Sequence, residues 1–271
     1  MRAYSPSSIT CFFAPVIRDP PKSGSIGVGI TLNRGVYVDV LACEELRILF
    51  NDREFELPTV KFVAEKLGFK GLIRIRSDLP IGYGFGISGA SAFATALAIN
   101  EFLNLNLSFF RVADIAHVSE VVNRTGLGDI VTQCFGGVVV RMNACCPSMC
   151  RVDRFLWSLK LDFLIMERID TKEVLKENIK NMYKIGRSCL KEFLRKPTVE
   201  NMFIQSKRFA VECNLIDQRV MDAIEAVESN GGMASMVMLG GVVFALNGDI
   251  LKEFRGKYMK LDVDLCSARV V

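Results

Sequence analysis

The chain has 271 residues, of which 50% are hydrophobic and 24% are charged, and it carries a formal net charge of +4 at pH 7. This composition is typical of a globular protein and excludes a disordered or collagen-like chain. Because lysines and arginines are interspersed with acidic residues, the charge pattern disfavours nucleic acid as the main partner. A chain of this length has room for two domains that share one cleft.

Nine cysteines, most of them in apolar runs and none in a C-x-x-C pair, indicate buried reduced thiols and a cytoplasmic location. Cys145, Cys146 and Cys150 form the tightest cluster. A soft metal there is the less favoured alternative, because no fourth ligand stands at a familiar spacing. Charges interrupt every apolar stretch well before about 18 residues, so we predict no transmembrane helix and no membrane partner.

The first half of the sequence predicts strands and helices in alternation. Residues 1–50 have the composition of strands and turns, and residues 59–67 predict a helix that ends at Gly68. Residues 72–76 alternate with a period of two, which indicates a half-buried strand. The remaining predictions are helices over 92–103 and 108–123, a loop over 125–129 and a strand over 136–142.

The second half has a different rhythm. Residues 143–156 predict a linker, and the elements after it include a hairpin, residues 234–239 and 242–247, around Gly240 and Gly241. Interleaved strands and helices with a hairpin indicate an α+β domain of split-βαβ type. The other predicted elements are a strand over 161–166, helices over 171–194, 198–214 and 217–229, and a final strand over 258–265.

Four glycines, Gly82, Gly84, Gly86 and Gly89, lie between a predicted strand and a helix that starts near Ser88. Glycine permits positive φ and leaves no Cβ between the peptide N–H groups and a ligand. A helix start offers unpaired N–H donors to an anion. A tight turn with close packing is the alternative, but four glycines within eight residues favour phosphate binding.

Two named phosphate motifs fit this turn poorly. The Walker pattern fails because no Lys-Ser or Lys-Thr pair follows the last glycine. Gly84, Gly86 and Gly89 match the spacing of the dinucleotide-binding fingerprint. That fold needs a second strand after the helix, ending in an acidic residue, and here another helix follows.

The segment Pro80-Ile81-Gly82-x-Gly84-Phe85-Gly86-Ile87-Ser88 resembles the phosphate-binding motif of the GHMP kinases, although Ile87-Ser88-Gly89 stands where they usually carry Ser-Ser-Ala. Residues 5–13, 24–29, 125–129 and 231–236 are most similar to the archaeal branch that phosphorylates pantoate. The resemblance implies a two-domain α+β fold. Residues 1–150 would resemble domain 2 of ribosomal protein S5, and residues 151–271 would be ferredoxin-like.

The resemblance also implies the reaction, which is transfer of the γ-phosphoryl of ATP to the C4 hydroxyl of (R)-pantoate, with Mg²⁺, on a route to coenzyme A. Homoserine, mevalonate or a sugar is the alternative acceptor. A nucleic-acid-binding module and a nicotinamide-dependent oxidoreductase are the alternatives from other classes. A homodimer is a candidate assembly.

The resemblance assigns Asp129 as the catalytic base and Ser88 with Glu120 as the Mg²⁺ ligands. Each has a simpler alternative: Ser88 or Asp129 as a helix cap, and Glu120 as an exposed helix residue. The residues implied in nucleotide binding are Pro80, Gly82, Gly84, Gly86, Ser88, Gly89 and Ala90.

Other polar residues stay open at this point. His117, the only histidine, lies one turn before Glu120, and we interpret it as a hydrogen-bonded structural residue. Arg18, Arg34 and Arg76 are candidates to bind a substrate carboxylate, because a guanidinium grips one bidentately.

Two features of the family match only partly. Its glycine-rich loop in the second domain is partly resembled by residues 231–232 and by residues 240–241. Some members keep a lysine near the amino terminus that assists the base, whereas this chain has none before Lys22. Either the base works with the metal alone, or a basic residue arrives from elsewhere in the chain.

Overall fold

The computed structural model describes residues 1–166, 172–238 and 240–271, with side chains throughout except at 172–178. These residues form two β-sheets and a set of helices. The strands are β1 (Arg2–Val16), β2 (Gly24–Leu41), β3 (Arg47–Phe50), β4 (Arg53–Glu54), β5 (Leu72–Arg76), β6 (Val138–Arg141), β7 (Val152–Phe155), β8 (Lys160–Ile165), β9 (Met233–Met236), β10 (Val242–Leu246), β11 (Lys257–Asp262) and β12 (Arg269–Val270). The α-helices are α1 (Pro58–Lys66), α2 (Ile87–Phe102), α3 (Phe109–Asn123), α4 (Asp129–Phe135), α5 (Lys172–Arg195), α6 (Val199–Glu212) and α7 (Gln218–Ser229).

The first sheet is built on the long antiparallel pair β1 and β2, and its main strand order is β12-β1-β2-β5-β3-β4. The strand β2 has two partners on its second edge. Its first part, Gly27 to Ile30, pairs with β6, and its later part, Tyr37 to Leu41, pairs with β5. This split separates β5 from β6 along one edge of β2, while β1 pairs with the other edge.

The helix α2 is the central helix of the first half. Small side chains dominate it, and nearly all of its residues up to Ile99 are buried. It contacts β1, β2, α1 and α3. A helix that is apolar on every side belongs in the interior, where burial of its alanines and of Phe93 stabilises the fold through the hydrophobic effect. The start of α2 is thereby fixed against the first sheet and its neighbouring helices.

The second sheet has the order β11-β8-β10-β9, and all its pairs are antiparallel. The helix α5 also packs on β1, so the two halves share apolar contacts. The ring of Phe193 lies 6.2 Å from that of Phe12 and 5.8 Å from that of Phe155, centroid to centroid. No helix among the described residues is long and apolar enough to cross a membrane.

The predicted α+β class is confirmed, and most predicted elements lie within a few residues of their observed bounds. The helix predicted over 92–103 begins earlier, at Ile87, because Gly86 adopts the left-handed conformation that directly precedes the helix. The strand predicted over 136–142 begins only at Val138, because Gly136 and Gly137 have φ of 74° and 82°. The helix prediction at residue 171 and the hairpin prediction at residue 239 fall outside the described residues.

The linker predicted over 143–156 is wrong for residues 152–155. These residues form β7, which pairs with β6 and extends the first sheet. Pro147 and the cysteines beside it suggested irregular chain, whereas the strand is set by pairing with a distant segment. The hairpin of β9 and β10 is confirmed, although β9 ends at Met236, three residues before the predicted end. The division of the chain at residue 150 stays a prediction.

Candidate active site

The glycine loop, residues 80–89, connects β5 to α2. Gly82, Gly84 and Gly86 have φ of 85°, 81° and 62°, a region that residues with a Cβ rarely adopt. Gly86 precedes the first residue of α2, and no side chain caps this helix start in the described structure. The first N–H groups of α2 and the positive end of its dipole therefore favour an anion at this point.

Ser88, at the start of α2, contacts Glu120 on α3. The Ser88 hydroxyl donates a hydrogen bond to Glu120 Oε1 over 2.7 Å, and Thr125 Oγ1 donates to the same oxygen over 2.6 Å. Thr59 Oγ1 lies 3.2 Å from Ser88 Oγ. A carboxylate and three hydroxyl groups thus form one oxygen-rich cluster, with Ser88 partly open to the cleft.

Glu120 is buried, with 2% of its surface exposed. Burial, and after it the nearby charge of Asp129, raise the pKa of its carboxyl group to about 7, although the hydrogen bonds from Thr125 and Ser88 act in the opposite direction. A buried carboxylate needs compensating charge. Oxygen ligands suit Mg²⁺, which keeps several waters or phosphate oxygens as its other ligands. The cluster therefore fits a magnesium ion.

Asp129 is the first residue of α4 and remains partly accessible at the cleft. Its Oδ1 accepts a hydrogen bond from Ser8 Oγ over 2.9 Å. Burial among protein atoms raises the pKa of the Asp129 carboxyl group, while the bond from Ser8 and the positive charge of Arg141 oppose that shift. The loop before α4 brings Asp129 and Glu120 together, because Gly126 packs against both carboxylates with no side chain between them.

Arg141, at the end of β6, is a fully buried arginine with 1% exposure. Its Nε donates to the Ser25 carbonyl oxygen over 3.1 Å, and its Nη1 donates to Thr132 Oγ1 over 2.7 Å. Its Nη2 is buried and has no hydrogen-bond partner among the described residues. Burial lowers the pKa of the guanidinium, and the charge of Asp129 opposes this. One donor of a buried cation is therefore free beside the candidate base.

The second half of the chain packs against the glycine loop at Gly84. A Cβ on Gly84 would lie 2.7 Å from Val237 Cγ1 and 2.9 Å from the Met238 carbonyl oxygen. Gly240 packs equally closely against the Tyr83 carbonyl oxygen. Of the two candidates for the second glycine-rich loop, the segment at Gly240 therefore contacts the site, whereas the other ends α7.

Two residues predicted for nucleotide binding contribute little that is visible here. Pro80 is partly exposed at the start of the loop. Ala90 is buried, and its N–H already donates to the Gly86 carbonyl oxygen over 2.9 Å within α2. Their roles stay predictions.

The structure gives His117 and the candidate arginines other partners. His117 is buried and its Nε2 donates to the Ser23 carbonyl oxygen over 2.9 Å, and burial lowers its pKa. Arg18 is exposed. Arg34 and Arg76 form exposed ion pairs with Asp78 and Asp52. None of these four has the buried, unpaired donor that Arg141 has.

Sequence reasoning missed Arg141, Gln133 and the contact of Ser8 with Asp129. One signal was present for the first: Arg141 directly follows three valines in a strand whose residues are all buried. An arginine in such a run is almost never buried without a partner. No local pattern identifies the other two, because Ser8 and Gln133 are 125 residues apart in the chain.

Comparison with known proteins places this arrangement in a family. Residues 55–137 match the GHMP kinases N terminal domain. The pantoate kinase of Methanocaldococcus jannaschii is 35% identical over 256 residues, which cover 90% of this chain and 92% of the relative. The pantoate kinase of Thermococcus kodakarensis is 33% identical over 98% of this chain and 93% of its own length. The solved structure of a phosphotransferase related to the CoA biosynthesis pathway superposes with a TM-score of 0.89 and 28% identity, covering 100% of this chain and 98% of the other.

The fold and the site define an ATP-dependent small-molecule kinase of the GHMP type. The chain belongs to the family of these pantoate kinases. The resemblance inferred from residues 80–88 is thereby confirmed, and so is the two-domain GHMP kinase fold.

The buried carboxylate of Glu120 predicts a specific dependence of stability on pH. Its pKa is raised from 4.5 to about 7 on folding. The folded protein therefore binds this proton more tightly, and the stabilisation is lost as pH rises through about 7. Without Mg²⁺, the free energy of unfolding of the wild type should fall between pH 5 and pH 8. The fall in Glu120→Gln should be smaller than in the wild type by on the order of 2 kcal/mol. Denaturant unfolding with EDTA measures this, with the exposed Glu101→Gln as control. An identical pH dependence in wild type and Glu120→Gln would contradict the prediction.

Gly86 and Gly68 offer a matched test of the glycine loop. Both have left-handed φ, 62° and 67°, so alanine strains the backbone by about 1 kcal/mol at each. A Cβ on Gly86 would lie 2.6 Å from Ser8 Oγ and 3.1 Å from Asp129 Oδ1, whereas at Gly68 nothing lies within 4 Å. We expect Gly86→Ala to lower kcat/KM for ATP at least about tenfold. Gly68→Ala should leave it unchanged. Equal kinetic effects of both variants would show that backbone strain alone is responsible.

Proposed function

We propose that this protein transfers the γ-phosphoryl of ATP to the C4 hydroxyl of (R)-pantoate and forms (R)-4-phosphopantoate on a route to coenzyme A. The observation that carries the proposal is a free, buried guanidinium nitrogen of Arg141 beside Asp129. Pantoate carries a carboxylate and a primary hydroxyl only a few bonds apart. The cation would bind the carboxylate of pantoate, and the candidate base would accept the proton of its hydroxyl group. The relatives named pantoate kinase support the same substrate.

We propose that the glycine loop and the start of α2 bind the phosphates of ATP through backbone N–H groups. The positive φ values at Gly82, Gly84 and Gly86 support this role, because they turn the loop without side chains. Gly240, from the second half, lies against the same loop and narrows the cleft. Because phosphoryl transfer depends mainly on positioning and charge stabilisation, a rigid cradle is the principal requirement.

Ser88 and Glu120 are the residues that would hold Mg²⁺. Their oxygens are 2.7 Å apart, and among the described residues no lysine or arginine pairs with the buried carboxylate. When bound, Mg²⁺ would neutralise charge on the nucleotide phosphates. The described residues contain no cluster of three or more His, Cys, Asp or Glu side chains that could hold a metal. The remaining ligands would therefore be water and phosphate oxygens.

Asp129 would act as the general base. As the hydroxyl oxygen of the acceptor forms its bond to the γ-phosphorus, the bond from that phosphorus to the leaving oxygen of ADP breaks. The hydroxyl proton moves to the Asp129 carboxylate. The Ser8 hydroxyl and the Arg141 guanidinium favour the ionised form that accepts this proton, and they oppose the effect of burial.

We propose that Arg141 binds the substrate carboxylate through Nη2. The bonds from Nε and Nη1 to Ser25 and Thr132 fix the plane of the guanidinium, so its free edge has one orientation. A site built around a fixed cation would favour acids over neutral acceptors. Homoserine and mevalonate also carry carboxylates, so the distance from carboxylate to hydroxyl and the shape of the cleft must provide the remaining selectivity.

A cytoplasmic location, a homodimeric assembly and the absence of a nucleic-acid partner belong to the same proposal. The cysteine pattern of the sequence supports the location, and the mixed charge supports the absence of a nucleic-acid partner. Sedimentation of the purified protein in the presence and absence of RNA would test the last two together.

The substrate is tested by ADP release with Mg-ATP in the presence of pantoate, homoserine, mevalonate or no acceptor. We expect turnover with pantoate alone. Asp129→Asn should retain ATP affinity and lower kcat about 100-fold or more, because a positioned base contributes this much. Turnover with another acceptor only would leave the kinase class and overturn pantoate. Full activity of Asp129→Asn would exclude Asp129 as the base.

The role of Arg141 is tested by Arg141→Met, which keeps the volume and removes the charge. We expect KM for pantoate to rise about tenfold or more, because the carboxylate of bound pantoate loses its cationic partner. KM for ATP should be unchanged. Arg34→Met, which removes an exposed arginine paired with Asp78, serves as the control. If Arg141→Met unfolds, Arg141→Lys keeps the charge but loses the fork geometry and should show the same pattern. An unchanged KM for pantoate in a folded variant would contradict this assignment.

A further inference from the structure

A buried chain of hydrogen bonds connects the glycine loop to Asp129. The Nε2 of Gln133 lies 3.1 Å from the Gly86 carbonyl oxygen and 3.1 Å from Ser8 Oγ. Ser8 Oγ in turn lies 2.9 Å from Asp129 Oδ1. Gln133 is 0% exposed and Ser8 is 1% exposed, so water does not compete for these bonds. Gln133 follows Asp129 by one turn of α4.

The chemistry of the groups fixes the direction of each bond. The Gly86 carbonyl oxygen can only accept, so the atom of Gln133 that faces it must be the amide nitrogen. The same nitrogen faces Ser8, so the Ser8 oxygen accepts a hydrogen bond from Gln133. A hydroxyl has one hydrogen, and in Ser8 it is therefore directed at Asp129 Oδ1.

Because of this direction, the two carboxylate oxygens of Asp129 have different surroundings. Oδ1 is occupied as an acceptor for Ser8. Oδ2 lies on the side of Gly126. A Cβ on Gly126 would be 2.9 Å from Asp129 Oδ2 and would also clash with the Glu120 carboxylate. A carboxylate with Oδ1 held by a hydrogen bond of 2.9 Å has a defined orientation, in which Oδ2 is left to face an acceptor hydroxyl.

The other charged groups around Asp129 do not fix its orientation. Arg141 acts on it through its positive charge, but among the described residues the hydrogen bonds of the guanidinium reach Ser25 and Thr132. Glu120 acts through repulsion. Ser8 is the side chain that donates a hydrogen bond to the Asp129 carboxylate in the described structure.

We infer that Ser8 and Gln133 are positioning residues for the reaction: Ser8 orients the Asp129 carboxylate, and Gln133 couples that orientation to the glycine loop through Gly86. The inference rests on the proposed role of Asp129 as base. It accounts for a base that works without an amino-terminal lysine, since a neutral hydroxyl supplies the donor. The side-chain amide of Gln133 therefore contacts both the glycine loop, at Gly86, and the serine that orients the base.

Kinetics separate the two roles. Ser8→Ala should lower kcat at least about tenfold and leave KM for ATP unchanged, because only the base loses its donor. Gln133→Met should lower kcat and also raise KM for ATP severalfold, because the Gly86 carbonyl oxygen loses one of its two donors and keeps only Ala90 N–H. Ser7→Ala is the matched control. Ser7 is the adjacent buried serine, and it donates to the Arg34 carbonyl oxygen instead.

A spectroscopic measurement tests the contact without any acceptor. The ¹³Cγ resonance of Asp129 is assigned by its loss in Asp129→Asn and is recorded at one fixed pH. Ser8→Ala should shift it and Ser7→Ala should not. This result stands even if pantoate is not the substrate, so failure of the proposed reaction and failure of the positioning role are distinguishable. An unmoved resonance would overturn the inference, as would a loss of kcat in Ser8→Ala that only matches the fraction of unfolded protein.

Discussion

The constraint on which this site depends is the proximity of three ionisable groups away from solvent: Glu120 and Arg141 are buried, and Asp129 is half-buried. Two carboxylates close together repel each other, and one arginine only partly compensates them. Hydroxyl groups stabilise the two carboxylates by hydrogen bonds: Ser8 donates to Asp129, and Ser88 donates to Glu120. The remaining negative charge at Glu120 and the free donor of Arg141 are what the proposed metal and substrate carboxylate would satisfy. Binding of the proposed metal and substrate carboxylate would thus complete the charge balance of the site.

Such close approach of polar groups requires backbone without side chains at the points of contact. A Cβ on Gly89 would lie 3.2 Å from Glu120 Oε2, and one on Gly128 would lie 2.7 Å from Arg141 Cζ. Gly86 instead combines a left-handed φ with close packing. Phosphate binding and tight packing were alternatives for the glycines in the sequence. In the structure they are compatible, because the loop that turns toward the cleft also rests on the buried charges behind it.

The sequence predicted the parts of the molecule that local pattern controls. The α+β class and the helix around residues 108–123 follow from periodicity and caps, whereas the candidate site residues Ser88, Glu120 and Asp129 come from the family resemblance and their roles stay predictions. What it could not predict depends on tertiary pairing. The strand β7 forms against β6 in a segment rich in cysteine with a proline, and the bond from Ser8 to Asp129 joins residues 121 positions apart. No local propensity encodes such contacts.

The distribution of the site along the chain explains why a local motif is insufficient to define the substrate. The matched family segment, residues 55–137, contains the glycine loop and the carboxylates. It ends before Arg141 and begins after Ser8, and the second half contributes Gly240. Even the carboxy-terminal segment takes part, because Ala268 N–H donates to the Gln133 carbonyl oxygen. The proposed phosphate cradle therefore lies within one segment, whereas the residues that contact the candidate base Asp129 and the buried cation Arg141 come from the whole fold. This is why similarity over 90% or more of the chain, rather than the motif alone, bears on the choice of acceptor.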